Sequence, residues 1–549
     1  LGRGGAGVIR ARDAADLAAD PDPLASDARV RVIDLRDEVA PGEVVAWESN
    51  GRQHTVFAQR EVWLGGYFPT VRERVECEVP PDWAIRAMLV ADGAVRETTA
   101  VGGAVWELGG LPGSPDEDDA PPYEERLPRL LLSIRAPDPP PGWAVFQQWG
   151  DVSVWLDRLR EPSSVADPDL VSRARGLVAG ARTEFDSVAA IARLVQGVHY
   201  VSIALRLADG GGFTPRAASH VLAESYGDCK DKANLMCVML GAIGLDARML
   251  AVDFSAPGSV EPKWPSPMVF DHCIVGVRCR EATDLPCHVR SGSGRDYLVF
   301  DPTDPYTVLG DLPSAEQGAR AVMIGPGEDS LVTLPRLPRD SRRVTRQVDA
   351  HLDEDGVLRG VARIVASGQA AATMRALQES NPAEARRRVE LEVAASSEGG
   401  AIDSFGVHDD PSSGRFERGF AFTLPRAGRR PSERLMTLRL SWSPLPGVVR
   451  PKDRPRRQPM DLHECSVRET LTVAVPDGWA IDEMPRPVEH RTGWGAFTST
   501  SAIADGRLQV VRSLEIERYR LPAARMDEWR RFAADVTAAS AASAVLVLR

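Results

Sequence analysis

The chain of 549 residues carries 66 Lys and Arg against 78 Asp and Glu, a net charge of −12, and is long enough for three or four globular domains. That balance excludes a phosphate-binding surface as the organising feature; the clusters at Arg386 to Arg388 and Arg450 to Arg457 read as solvated faces, and no nucleic-acid partner is expected. The longest weakly polar run, Phe532 to Leu548, is broken by Asp535, Thr537, Ser540 and Ser543, so no transmembrane segment is expected.

The opening, LGRGGAGVIRARDAA, starts with Leu and lacks the basic, apolar and small-residue order of a signal peptide, which suggests that upstream sequence, with any targeting segment, is missing. The first 150 residues then read as strands and loops: alternating EVVAWE, HTVFAQREVWL and TVRERVECEVP precede a Gly/Pro/acidic surface loop, GGLPGSPDEDDAPPYEE. After RAPDPPPGW the pattern changes to helix at VSVWLDRL and stays helical to about residue 245. Asp167 and Pro168 begin DPDLVSRARGLVAGAR, Thr183 with Asp186 begins TEFDSVAAIARLVQGV, and Thr214 and Pro215 repeat the device before AASHVLAES. A last helix spans about Cys229 to Ile243 and stops at Gly244.

Four strand-like runs follow, ARMLAVDF, MVFDHCIVGVRC, DYLVFD and RAVMIG; helices grouped ahead of strands predict an α+β domain with a largely antiparallel sheet. Beyond about residue 340 strands return in VTRQVDAHLD, LRGVARIVASG and ERLMTLRLSW, and a closing helix from about Pro522 puts Met526, Trp529, Phe532 and Ala533 on one face. VRERVECEVPPDWAI (71–85) and VRETLTVAVPDGWAI (467–481) align without a gap. Either the flanking β regions are related sandwiches, or both converge on one strand before a Pro turn.

Seven cysteines, at 77, 229, 237, 273, 279, 287 and 465, show neither a CxxC pair nor the dense even spacing of a disulfide scaffold. A Cys-rich metal-binding domain would need several of the five thiols between 229 and 287 to converge. On the last helix, Cys229, Ala233, Met236, Cys237 and Leu240 share an apolar stripe, which suits a core thiol as well as a nucleophile in a cleft. Position separates the two. Cys229 follows Gly227 and Asp228 into the first turn, where free N–H groups and the helix dipole favour a thiolate; Cys237, two turns deeper, is the inert control. Lys230 and Lys232 add positive charge and are expected to face solvent. A thiol nucleophile also needs a base and a group to orient it. His272 in VFDHCIVGV and Asp301 in YLVFDPTDP lie on strands that an antiparallel pairing can make neighbours.

At these spacings YGDCKDKA, FDHCIVGV and YLVFDPTD resemble the transglutaminase-like superfamily of papain-like cysteine enzymes. The form YGDCKDKA…ML…GLDA resembles its bacterial branch, in which this core follows a β-rich domain of unknown function. VAPGEVVAWE, REVWLGGYFP and ECEVPPDW resemble the later half of that domain, its earlier half being absent, and LDEDGVLRGVARIVASG through RSLEIERYRLPAARMDEW resembles the β domain that often follows. The resemblance implies a papain-like transglutaminase core over 151–340, α+β with an antiparallel sheet. It is flanked by β-sandwich-like domains at 1–150 and 341–549, the last with a terminal helix. It also implies Cys229 as nucleophile, His272 as base and then acid, and Asp301 as the group fixing the imidazole tautomer, with no metal and no cofactor.

The chemistry implied is attack on an amide of a peptide or protein, leaving a thioester for water or an amine to resolve. The Cys229 N–H is the first oxyanion donor. The Gln or Trp that relatives offer as the second is missing between Phe213 and Asp228, which leaves Tyr226 or Gln196; with neither, the chain is a weakly active or inactive scaffold for a peptide or protein partner. Hydrolysis is expected over transamidation, because the loops expected at the mouth, Ala256 to Pro267 and Arg290 to Arg295, offer no aromatic tunnel beyond Trp264. Export signals are frequent in this branch, which implies an extracytoplasmic, periplasmic location.

Overall fold

The computed structural model describes residues 14–18, 29–35, 39–40, 42–46, 48, 56–91, 94–140, 142–202, 212–280, 284–410, 413–448 and 455–549. Residues 1–13 of the opening, Trp47 of EVVAWE and residues 450–454 of the second Arg cluster lie outside them. Residues 43–46 form no strand, and Val44 stays exposed: alternation alone supplies no edge to pair with.

Strands Gln59–Trp63, Arg129–Arg135, Ala84–Ala91 and Ala94–Val101 form one antiparallel sheet in that spatial order, and Thr70–Glu78 pairs with Gly103–Leu111. Period-two alternation lets the larger sheet serve two cores. Ile85, Ala87, Leu130 and Leu132 pack against Val75, Trp106 and Leu108, while Met88 and Leu131 enter the core of the next module. The expected surface loop after Gly109 is instead tied to the C-terminal module: Glu117 accepts from the Arg457 N–H at 2.9 Å, and the Asp119 carbonyl from the Asp461 N–H at 2.7 Å.

The central module contains α1 (Trp149–Arg160), α2 (Pro168–Leu177), α3 (Glu184–Gln196), β1 (His199–Tyr200), α4 (Ala218–Glu224), β2 (Tyr226–Gly227) and α5 (Cys229–Ala242). β3 (Ala247–Val252), β4 (His272–Val277), β5 (His288–Arg290), β6 (Asp296–Phe300), β7 (Arg320–Met323) and β8 (Leu331–Thr333) follow. Asp167 and Thr183 cap as expected, accepting from the N–H groups of Leu170 and Asp186. The third cap fails: α4 begins at Ala218, because Arg216 is held at Asp231 by its backbone N–H (2.7 Å) and its Nε (2.9 Å), which keeps the lead-in out of the helix. The sheet runs β5-β6-β4-β3-β7-β8 with every pairing antiparallel. α5 packs between β3 and β4 on one side and α2, α3 and α4 on the other. It is therefore buried from Asp231 through Leu240 on all sides, where the sequence suggested one stripe.

In the C-terminal module an eight-stranded sheet faces a four-stranded one. Arg343–Leu352 and Cys465–Ala474 make the large sheet's parallel pairing. The closing helix, Met526–Ala541, buries Met526, Trp529, Phe532 and Ala533 as expected, but the described chain continues into a strand, Ser543–Leu548, in the smaller sheet. Two further helices, Gly368–Ser380 and Pro382–Ser396, lie where the sequence reading had none. The echoed segments share a build: each runs from a strand of one sheet into a strand of another, through a turn in which the Trp83 N–H bonds the Pro80 carbonyl (2.9 Å) and the Trp479 N–H bonds that of Pro476 (3.1 Å). The fold is thus an α+β core with an antiparallel sheet, flanked by β domains. Among the described residues no helix is long and apolar enough to cross a membrane.

Candidate active site

The start of α5 is fixed by its own sequence. Asp228 and Asp231 form a reciprocal capping box, each carboxylate accepting from the other's backbone N–H. Ser225 turns the chain into it with φ +55, and at Gly227 a Cβ would lie 2.8 Å from that of Asp231. Cys229 is consequently the first helical residue, half-buried, with the N-terminal end of α5 behind it.

The expectation that Lys230 and Lys232 face solvent is corrected. Lys230 pairs with Asp228. Lys232 is 1% exposed, and its ammonium donates to the carbonyls of Val198 (2.7 Å) and Gln196 (3.3 Å), acceptors left over where α3 ends. Burial lowers its pKa to about 8, against the pull of Asp301 and Asp304. Lys232→Ala orphans both carbonyls, a loss of about 2 kcal/mol that is expected to lower the melting midpoint by about 4–8 °C, with Lys232→Met recovering the packing part only. Thermal melts check this; an unshifted Lys232→Ala melt removes the capping role.

β4 and β6 pair with Val275 opposite Phe300, so the end of β6 reaches the start of β4. There His272 Nε2 stands 3.2 Å from Asp301 Oδ2. Thr303 completes the carboxylate's shell, through its N–H (2.8 Å) and hydroxyl (2.9 Å). Burial works against a charged His272, but the hydrogen bond to Asp301 and the neighbouring Cys229 outweigh it and push the imidazole up from 6.5 to about 11. Burial also works against a charged Asp301, and the bond to His272 again prevails, holding the carboxyl below its usual range.

Sequence reasoning missed two groups at this site. Glu316 is fully buried, with Oε1 3.8 Å from His272 Nε2; burial first, then the Asp301 charge, holds it well above the carboxylate range and therefore protonated. Neither of its oxygens has a hydrogen-bond partner among the described residues, and its carboxyl lies within 4.8 Å of Asp301 and His272. Tyr200 is the second. β1 and β2 pair in parallel with Tyr200 beside Gly227, which brings the phenol into the electrostatic neighbourhood of Cys229. Burial and the neighbouring Cys229 and Asp228 raise its pKa, which keeps it a donor. A search for donors that had continued past the end of α3 would have met Tyr200 four residues after Gln196.

Of the oxyanion donors read from the sequence, Gln196 has its amide committed: Nε2 donates to the carbonyls of Asp304 (2.8 Å) and Thr307 (2.7 Å), pinning the loop that follows Asp301. Tyr226 lies under Arg216, whose guanidinium sits 4.3 Å from the ring centroid. The expected mouth is also corrected. Trp264 is 1% exposed and donates to Ser133 at 3.0 Å, and the turn between β5 and β6 lies at the opposite end of β6 from Asp301. The exposed aromatics at the site are Tyr200 and Phe254, the latter 5.2 Å from the His272 ring.

Among the described residues one His/Cys/Asp/Glu group is tight enough to share a cation, His272, Asp301 and Glu316, within 4.8 Å of one another and without a cysteine.

A helix headed by a thiol, packed on an antiparallel sheet whose strand ends hold an imidazole and a carboxylate, is the fold of the papain-like cysteine enzymes. Residues 171–283 match the transglutaminase-like superfamily, and residues 444–546 match DUF3858, a domain of unknown function with a solved structure. A crystal structure of a candidate protease from Parabacteroides distasonis aligns with 90% of this chain and 76% of its own at 15% identity, TM-score 0.51. A candidate cysteine protease from Cytophaga hutchinsonii aligns with 45% of this chain and 73% of its own at 11% identity, TM-score 0.19. No curated protein matches the chain.

Proposed function

We propose that this chain is a thiol-dependent amide hydrolase acting on a peptide or protein, through Cys229, His272 and Asp301. The observation that carries the reading is the position of His272, whose Nε2 stands 3.2 Å from Asp301 Oδ2 while Cys229 at the head of α5 is its other electrostatic partner. A charged His272 and the start of α5 set positive potential at the sulfur. Sulfur attacks the amide carbon, and the oxyanion is received by the Cys229 N–H and, in place of the donors first considered, the Tyr200 hydroxyl. His272 gives its proton to the leaving amine, and the C–N bond breaks to leave a thioester. Acylation removes the charge on sulfur, one of the supports of the imidazolium. His272, now neutral, can take a proton from water as that water attacks, and then return the proton to the departing thiolate. The flanks supplied by Tyr200 and Phe254 are exposed, which favours water over a selected amine.

The test is a peptide-amide library, with and without excess labelled primary amine, read by mass spectrometry beside a Cys229→Ala control. Cys229-dependent cleavage exceeding amine adducts is expected. Because the proton donor is lost only as pH rises through its folded value, cleavage should persist through about pH 9 and fall towards about 11. Adducts exceeding cleavage make the chain a transamidase; no Cys229-dependent turnover makes it a peptide-binding scaffold, and an alkaline fall starting near pH 7 removes the charged-His272 account.

A further inference from the structure

The large C-terminal sheet and the helix Gly368–Ser380 border a cavity of about 480 Å³ that opens to solvent, a volume ordinary for small-molecule sites. Its walls are mainly apolar, among them Val344, Ile364, Met374, Leu445 and Val467. Arg418, Ile364 and Arg346 line it side by side, and the strand register continues that row beyond the cavity through Glu469 and Arg512. Arg512 and Glu469, each 1% exposed, pair with each other. Arg346 is 4% exposed; it donates through Nη1 to the Pro444 carbonyl (2.8 Å), lies over the Trp442 ring (4.2 Å) and has Nε 3.3 Å from Glu469, but Nη2 has no partner. Arg418, also lining the cavity, has an unpartnered buried Nε and makes no hydrogen bond or ion pair with the described residues.

The charges do not balance. Arg342, Arg346 and Arg418 line the cavity against Glu392 and Glu464, three cations against two anions, with Arg342 taken by Glu464. Buried guanidinium N–H groups are costly to leave unpaired, and planar anions satisfy them best. We infer that this cavity binds a small monocarboxylate with an apolar body, its carboxylate between Arg346 and Arg418 and its body along Ile364 and Met374. The chemistry is shared by medium-chain fatty acids and by short apolar peptides with a free C-terminus. The inference stands apart from the Cys229 chemistry and does not need it.

Calorimetry on the full chain tests it with decanoate, acetyl-Leu-Phe and decan-1-ol. At least one carboxylate is expected to bind about tenfold or more tightly than the alcohol, and the tighter of the two identifies the source. Arg418→Gln should lower that affinity about tenfold while leaving the unliganded melting midpoint unchanged or higher, since it removes an unpaired charge. Ala370→Phe, which fills the cavity, should also weaken binding. Equal binding of carboxylate and alcohol, equal binding by wild type and Arg418→Gln, or no heat from either carboxylate at millimolar concentration would overturn the inference.

Discussion

Brief iodoacetamide treatment at neutral pH is expected to alkylate Cys229 at least about a thousandfold faster than Cys237, about 12 Å along the same helix by the rise of about 1.5 Å per residue. Reactivity follows thiolate fraction and access. Burial pushes Cys237 up to about 12 and leaves it 6% exposed, so its thiolate is about one part in 10⁵ at pH 7. Cys273 and Cys287 are raised by the same cause, and Cys465 is pushed up to about 11. Cys229 alone combines partial exposure, the first turn of a helix and a charged imidazole as electrostatic partner. Mass mapping after timed labelling reads the ratio. Comparable labelling of both cysteines, or protection of Cys229 alone, would contradict a reactive site.

What the sequence disclosed follows from where each signal is written. The phase of α5 and the period of the following strands are local patterns, so the placement of Cys229 at a helix start and of His272 and Asp301 at adjoining strand ends could be read directly. Lys232 could not. Its ammonium is buried because α3 happens to end beside it, at carbonyls more than thirty residues earlier in the chain. Trp264 was misread for the same reason: its partner, Ser133, belongs to another module. Glu316 and Tyr200 sit in short segments without periodicity, and only the folded chain brings them to the triad. The helices Gly368–Ser380 and Pro382–Ser396 are a different case. Their signals were present, with good helix formers in QAAATMRALQES and an Asn381-Pro382 start whose side chain accepts from the Glu384 N–H at 3.0 Å. Reading Arg386 to Arg388 only as a charged face hid a helix whose Arg386 and Arg388 pair at four-residue spacing with Glu390 and Glu384.

His272→Ala is expected to lower amide cleavage by about 10²–10⁴-fold, and Asp301→Ala by less, with both proteins still folded. His272 neighbours the sulfur and moves the proton, whereas Asp301 acts through the ring it holds at 3.2 Å. Losing Asp301 removes a support of the raised His272 value, so the alkaline limb of the surviving activity should move down from about 11. Glu316 gives the discriminating control. If its carboxyl is neutral and donates to Asp301, Glu316→Gln preserves a neutral donor of nearly the same shape and should change the rate by less than about tenfold, while Glu316→Ala leaves Asp301 short of a donor and moves the limb again. A purely packing role would lower the melt in Glu316→Ala without moving the pH profile. Cleavage rates, melts and pH profiles of the four variants therefore separate proton transfer, ring positioning and packing, and a His272→Ala protein as active as wild type would remove His272 from the chemistry.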